Sequence, residues 1–195
     1  MRMNSREFYA LANKPKRING GKTVPKQSYA NRGKVLEDII NITNISYLRH
    51  RAAVINKIPT EWIPIRGENG KIISAKVDKK STVDYTGRYG RTPIAFDAKE
   101  SHESRMRWDR VEPHQESFLD DWTRDGNGIG FILASFSERD TFVIPWYEWK
   151  DRLEKQRSGG PASFKPSEIP EGWRVEKYDY LKTVAGMRIY WQISK

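Results

Sequence analysis

The chain reads as a single α/β domain built on a mixed β-sheet, and three patterns predict it. Residues 94–99 alternate with a period of two, which sends Ile94, Phe96 and Ala98 to one face and Ala95, Asp97 and Lys99 to the other. Residues 130–136 and 141–146 are continuously apolar around the polar Ser137-Glu138-Arg139-Asp140, as expected of paired strands covered on both sides. Helical stripes stand before, between and after these strands, so helices flank the sheet.

The first 34 residues carry nine lysines and arginines against Glu7 alone, with few apolar positions and Pro15, Gly20, Gly21 and Pro25 among them. Residues 1–28 are therefore expected to form a basic, disordered arm ahead of a folded domain at 29–195. Such an arm suits the phosphates of nucleic acid, where it releases counterions. A charged solubilising tail is the alternative. A helix is predicted over 32–51, capped by Ser28 or Asn31, with Leu36, Ile39, Ile40 and Thr43 as its apolar stripe and Tyr47 and Leu48 continuing it. Glu37 borders that stripe and by position is an ordinary first-turn carboxylate.

Residues 52–58 read as a short strand stopped by Pro59. Two extended arms, 61–66 and 71–77, then flank Gly67-Glu68-Asn69-Gly70 as a hairpin, with Pro64 restricting the first arm to an edge. Asp84 follows, and residues 86–90 read as a glycine-containing turn into the strand at 94–99. If the segment before that turn pairs with 94–99, Asp84 meets Asp97 and Lys99 on one face. Two converging carboxylates suit a hard divalent cation, and an adjacent lysine can activate water or offset charge on a phosphoryl group.

Residues 101–111 are polar and basic, with Arg105, Arg107, Trp108 and Arg110, and suit a loop lying over DNA; Trp108 as a packing anchor fits equally. Pro113 marks a helix start, with Phe118, Leu119 and Trp122 as the buried stripe and Gln115 in the first turn. Residues 147–157 form a mixed-charge helix with Trp149 and Leu153 facing inward. A Gly- and Pro-rich loop leads to a last strand expected at 173–180, and residues 181–193 favour neither helix nor strand.

The 195-residue length fits one domain, and 37% hydrophobic with 31% charged residues gives it a core and a polar surface. Cysteine is absent, which excludes disulfides, thiolate zinc sites and cysteine nucleophiles and suits a reducing compartment. No run approaches the ~18 apolar residues of a membrane span, and no secretory leader is visible, so no membrane partner is expected.

The ordered set Asn31-Arg32-Gly33, Leu36-Glu37, Asp84-Tyr85-x-Gly87, Phe96-Asp97-Ala98-Lys99-Glu100 and His114-Gln115 resembles the RecU family of Holliday-junction resolvases, over about residues 29 to 190. The resemblance implies a restriction-endonuclease-like core with a protruding β-stalk at about 61–80, which enters the centre of branched DNA. It implies a metal-dependent endonuclease that nicks four-way junctions symmetrically as a homodimer, in the cytoplasm of a bacterium or of a bacterial host to a virus. Asp84 and Asp97 would hold Mg²⁺, with Mn²⁺ as a substitute and Glu37 as a further ligand. Lys99 and Gln115 would complete the catalytic set, although a surface amide is the ordinary reading of Gln115. Arg32, Arg66, Lys71, Lys76, Lys79, Lys80, Arg105 and Arg107 are the expected DNA contacts.

Two departures stand out. The family pattern more usually has glutamate where this chain has Asp97, a ligand arm shorter by one methylene, and a hydroxyl residue where this chain has Val83. Two other readings stay open: a related DNA endonuclease with another substrate, or a non-catalytic DNA-binding accessory protein.

Overall fold

The computed structural model describes residues 34–79, 82–126, 128–137 and 140–187. The basic arm, Arg32, the expected caps Ser28 and Asn31, Lys80 and the last eight residues lie outside them. A five-stranded sheet in the order β1-β4-β5-β7-β8 forms the centre. It comprises β1 (Ala53–Lys57), β4 (Tyr85–Tyr89), β5 (Thr92–Ser101), β7 (Ile129–Phe136) and β8 (Asp140–Pro145). Only β5 and β7 run parallel, and the other three pairings are antiparallel, so the sheet is mixed as expected. A parallel pair needs a crossover, which helix α2 (Pro113–Thr123) provides.

Helices cover both faces. On one, α1 (Lys34–Arg49) buries Leu36, Ile39 and Ile40, and the short α4 (Tyr180–Gly186) buries Tyr180 beside it. The pairing Tyr85↔Phe96↔Phe131 carries three rings across adjacent strands on this face, stacked 4.8 and 4.7 Å apart. Each such pair contributes about 0.5–1.5 kcal/mol beyond its burial. Tyr180 leans on two of these rings and donates to the buried Asn44, which ties α4 to α1. On the other face lie α2 and α3 (Trp146–Arg157), joined where Trp146 Nε1 donates to Asp120 Oδ1 at 2.7 Å.

Strands β2 (Glu61–Arg66) and β3 (Ile72–Lys79) form a separate two-stranded sheet around Gly67–Gly70, as the hairpin pattern predicts. Trp62, Ile63, Ile65, Ile72 and Ile73 are exposed on it.

Several expectations are corrected. Residues 86–90 are not a turn: Tyr85–Tyr89 is strand β4, and the chain reverses at Gly90, whose φ of 60° suits glycine. Gly87 serves another purpose, because a Cβ there would lie 2.1 Å from the Val54 carbonyl oxygen on β1. The predicted last strand at 173–180 is instead a 3-10 turn (Glu171–Trp173), a loop and the start of α4. Positive φ at Lys177 and Tyr178 breaks the extension, and Asp179 caps the helix through Lys182 N–H. All that persists of strand pairing is the bridge Phe142↔Arg174 and the bond from Val175 N–H to the Thr141 carbonyl. These cover the β8 edge, which lets an edge strand be buried from Thr141 to Pro145. Leu48 is exposed rather than part of the buried stripe, its place inside taken by Asn44.

Residues 101–111 are not an irregular loop. They contain the end of β5, the short β6 (Met106–Arg107) paired with β9 (Ser163–Phe164), and a 3-10 turn (Trp108–Arg110). Trp108 is buried, stacks on Phe164 at 4.0 Å and meets Trp149 edge-on, so it is a packing anchor.

Candidate active site

The β4–β5 register decides where the acids stand. Tyr85 pairs with Phe96, so Asp84, one step outside β4, falls opposite Asp97 on the same face. Asp84 Oδ2 accepts the Ala98 N–H at 2.9 Å, fastening the carboxylate across the end of the strand pair. Asp97 is fully buried and Lys99 nearly so, two residues on along β5. Lys99 Nζ lies 2.6 Å from Asp97 Oδ2. That oxygen receives no well-aligned hydrogen bond among the described residues, so its contact with Lys99 is an ion pair of poor angle.

Gln115 joins the set from α2, and it is buried, not a surface amide. Its Nε2 donates to Asp97 Oδ1 at 2.5 Å and its Oε1 accepts from Lys99 Nζ at 3.1 Å. The same Oε1 accepts the Glu112 N–H at 3.0 Å, half of a capping box whose other half is the Glu112 side chain on the Gln115 N–H. The helix start therefore aims this amide. Glu112 was not foreseen, although Glu-x-x-Gln ahead of a helix carries the signal.

Burial raises the Asp97 carboxyl, Lys99 pulls it back and the neighbouring Asp84 carboxylate raises it again, leaving it at about 7. A site with two acids and one lysine thus lacks positive charge. Among the described residues no group of three or more histidines and acids stands ready to hold a metal. The donors present are a carboxylate pair, one member ion-paired but poorly hydrogen-bonded, a set that fits a hard divalent cation.

An open groove of about 720 Å³ passes over this point, lined by Glu37, Asp84, Lys99, Arg105, Arg107 and Arg110 among others. Glu37 thus shares the groove but is half-exposed and held by Lys57 Nζ at 2.5 Å. Lys57 is a cation the sequence reading passed over. Arg110, from the basic stretch 101–111, also lines the groove and donates to the Glu100 carbonyl. Arg105 reaches the groove while donating to Ser163 Oγ and O at 2.8 and 2.7 Å, so much of its guanidinium is spent on holding β9. Arg107 is exposed and clamped on Asp109 through two bonds. Arg66, Lys71 and Lys76 are exposed on the hairpin, where Arg66 Nη1 donates to the Gly70 carbonyl. Val83 is fully buried in the core, where a hydroxyl would need a partner.

The family described as RecU, Recombination protein U, matches residues 31–188. The Holliday junction resolvase RecU of Streptococcus pneumoniae (strain Taiwan19F-14) is 34% identical over 149 residues, 71% of this chain and 75% of that protein. That of Leuconostoc citreum (strain KM20) is 33% identical over 177 residues, 84% of this chain and 85% of its own. The solved structure of Archaeoglobus fulgidus Hjc, a Holliday junction resolvase, superposes with a TM-score of 0.38 at 11% identity over 57% of this chain and 77% of that one, too loosely to argue from.

Proposed function

The chain belongs to the RecU family, and on that premise we propose that it is a divalent-metal-dependent endonuclease that nicks four-way DNA junctions symmetrically. The observation that carries this reading is the convergence of Asp84, Asp97, Lys99 and Gln115 at the floor of an open groove that Asp84 and Lys99 line, with Asp97 and Gln115 buried beneath.

Asp84 and Asp97, with Glu37 across the groove, would hold Mg²⁺. When bound, that cation polarises a non-bridging phosphate oxygen and lowers the pKa of a coordinated water. Lys99, fixed between Asp97 and Gln115, orients the attacking water and offsets negative charge that develops on the phosphoryl group. Gln115 keeps both partners in place and excludes bulk water from Asp97.

The basic arm at 1–28 lies along phosphates ahead of the nuclease domain at 29–195. The hairpin at about 61–80 enters the junction, with Arg66, Lys71, Lys76, Lys79 and Lys80 on its phosphates, while Arg32, Arg105 and Arg107 contact DNA nearer the cut. Paired nicks require two sites in fixed relation, which a C2 homodimer supplies. Its support is apolar surface on a hairpin too small to be stable alone, together with exposed Ile42, Ile45 and Leu48 on α1. Among the described residues no helix is long and apolar enough to cross a membrane.

The test is cleavage of a four-way junction and a matched duplex, each with Mg²⁺ and with chelator. Paired, junction-selective, metal-dependent nicks are expected. Equal cutting of both substrates would make the protein a general endonuclease, and no cutting with retained binding would make it an accessory protein. A monomeric mass by light scattering alongside paired nicks would refute the dimer.

A further inference from the structure

Four arginines gather at the end of the β1–β4 pair away from the acids: Arg49 at the end of α1, Arg51 just after it, Arg88 on β4 and Arg91 after Gly90. Ala53 pairs with Tyr89, so Arg51, two residues before, and Arg91, two residues after, reach the same end. All four are exposed, and among the described residues none has a carboxylate or carbonyl partner for its guanidinium. Residues 44–57 and 85–96 contain no aspartate or glutamate at all. By contrast, Arg105, Arg107, Arg110, Arg124, Arg157 and Arg174 each donate to an acid, a hydroxyl or a carbonyl. A helix C-terminus favours a cation and accounts for Arg49. It does not account for Arg88 or Arg91 across the sheet.

Register places Arg88 relative to the chemistry. Arg88 pairs with Pro93 and Thr86 with Ala95, so Asp84, Thr86 and Arg88 share the face of Ala95 and Asp97. Helix α2 covers that face over β5 and β7, while Val54 and Arg88 remain exposed on β1 and β4. The four residues from Asp84 to Arg88 span about 13 Å, the axial rise of about four base pairs. Arg88 at that distance, with the likewise uncompensated Arg91 and Arg51 farther along the same end, matches a phosphate backbone already engaged at the groove.

We propose that Arg88 and Arg91, with Arg51, form a second phosphate-binding shelf that holds the duplex arm from about four base pairs beyond the nick outward. The proposal rests on the endonuclease reading and adds to it a surface outside the groove and the hairpin.

The experiment compares wild type with R88Q/R91Q and R88K/R91K on a four-way junction, by binding across a salt series, phosphate-ethylation interference and single-turnover cleavage at saturating protein. Each lost contact should flatten the log–log salt slope by about 0.9 and weaken binding roughly fivefold to tenfold at ~0.1 M salt. R88Q/R91Q should therefore bind about 25- to 100-fold more weakly and lose interference from about four phosphates beyond the nick outward, with the cleavage rate at saturation unchanged. R88K/R91K should restore the slope, which a merely structural role would not explain. As a control, R174Q removes an arginine at the opposite, β8 edge of the sheet, paired with Asp140 and Glu171, and should leave the interference pattern alone. An unchanged slope and interference pattern in R88Q/R91Q, with the wild type binding and cutting, would overturn the shelf alone. Failure of the wild type to bind DNA at any salt would overturn the endonuclease reading and the shelf together.

Discussion

Replacing Asp97 with asparagine should stabilise the metal-free protein at neutral pH while abolishing its chemistry. The carboxyl is fully buried and sits at about 7, against an ordinary value near ~3.9. Keeping it ionised in the fold therefore costs about 4 kcal/mol, at about 1.36 kcal/mol for each pH unit. Between about pH 4 and 7 the folded protein holds a proton that the unfolded chain has released, so stability falls as pH rises through that window. Above pH 7 the cost is present in full. Asparagine resembles the protonated acid in shape and neutrality, so it escapes the cost and can still bond to Gln115. In chelator at pH 8, Asp97→Asn should exceed wild type by up to about 4 kcal/mol, or about 8–16 °C in Tm. By pH 4 the difference should nearly vanish. Thermal and urea unfolding of both proteins at several pH values measures this, and subtracting the curves cancels the other titrating groups. Adding a divalent cation should stabilise wild type more than the variant. Equal stability at pH 8, or a difference independent of pH, would refute the account of a strained, charge-deficient site.

Lys99→Ala should lower single-turnover nicking by about a hundredfold or more while leaving junction affinity within a few-fold, since the amine acts on the reacting phosphate; retained nicking would place the chemistry elsewhere. Gln115→Leu removes the donor to Asp97 Oδ1, a charged hydrogen bond worth about 1.5–3 kcal/mol, and should cut the rate roughly tenfold to a hundredfold with Kd for the junction unchanged. Gly87→Ala should destabilise by about 3 kcal/mol or more, because its Cβ would meet β1 backbone that cannot move aside; urea titration reads this, and a loss under 1 kcal/mol would contradict it. Deleting residues 1–28 should weaken junction binding and flatten its salt dependence, and an unchanged slope would make the arm a solubility segment.

The local pattern carried much of the site. Period-two alternation alone set Asp97 beside Lys99, because side chains on a strand have only two directions to take. Apolar continuity announced β7 and β8, and Pro113 marked the start of the helix that delivers Gln115. Composition located the excess charge. These features depend on neighbours in sequence, which is why a linear reading reaches them.

Pairing between distant segments was decided only by the fold. Gly87 looked like a turn residue because glycine permits turns, yet its use is the absence of a side chain against β1, thirty-odd residues earlier. The expected strand at 173–180 failed because two residues with positive φ turn the chain into α4 just where its bridge to β8 ends. Trp108 suited DNA by type but is packed on Phe164, and Arg105 reaches the groove while it holds Ser163, partners more than fifty residues away. Nothing local marks Arg88, since its meaning lies in sharing a face with Asp97 and in having, among the described residues, no acid to neutralise it. Residue type limits what a side chain is able to do, whereas register and long-range contacts determine which of those capacities remains free for a ligand.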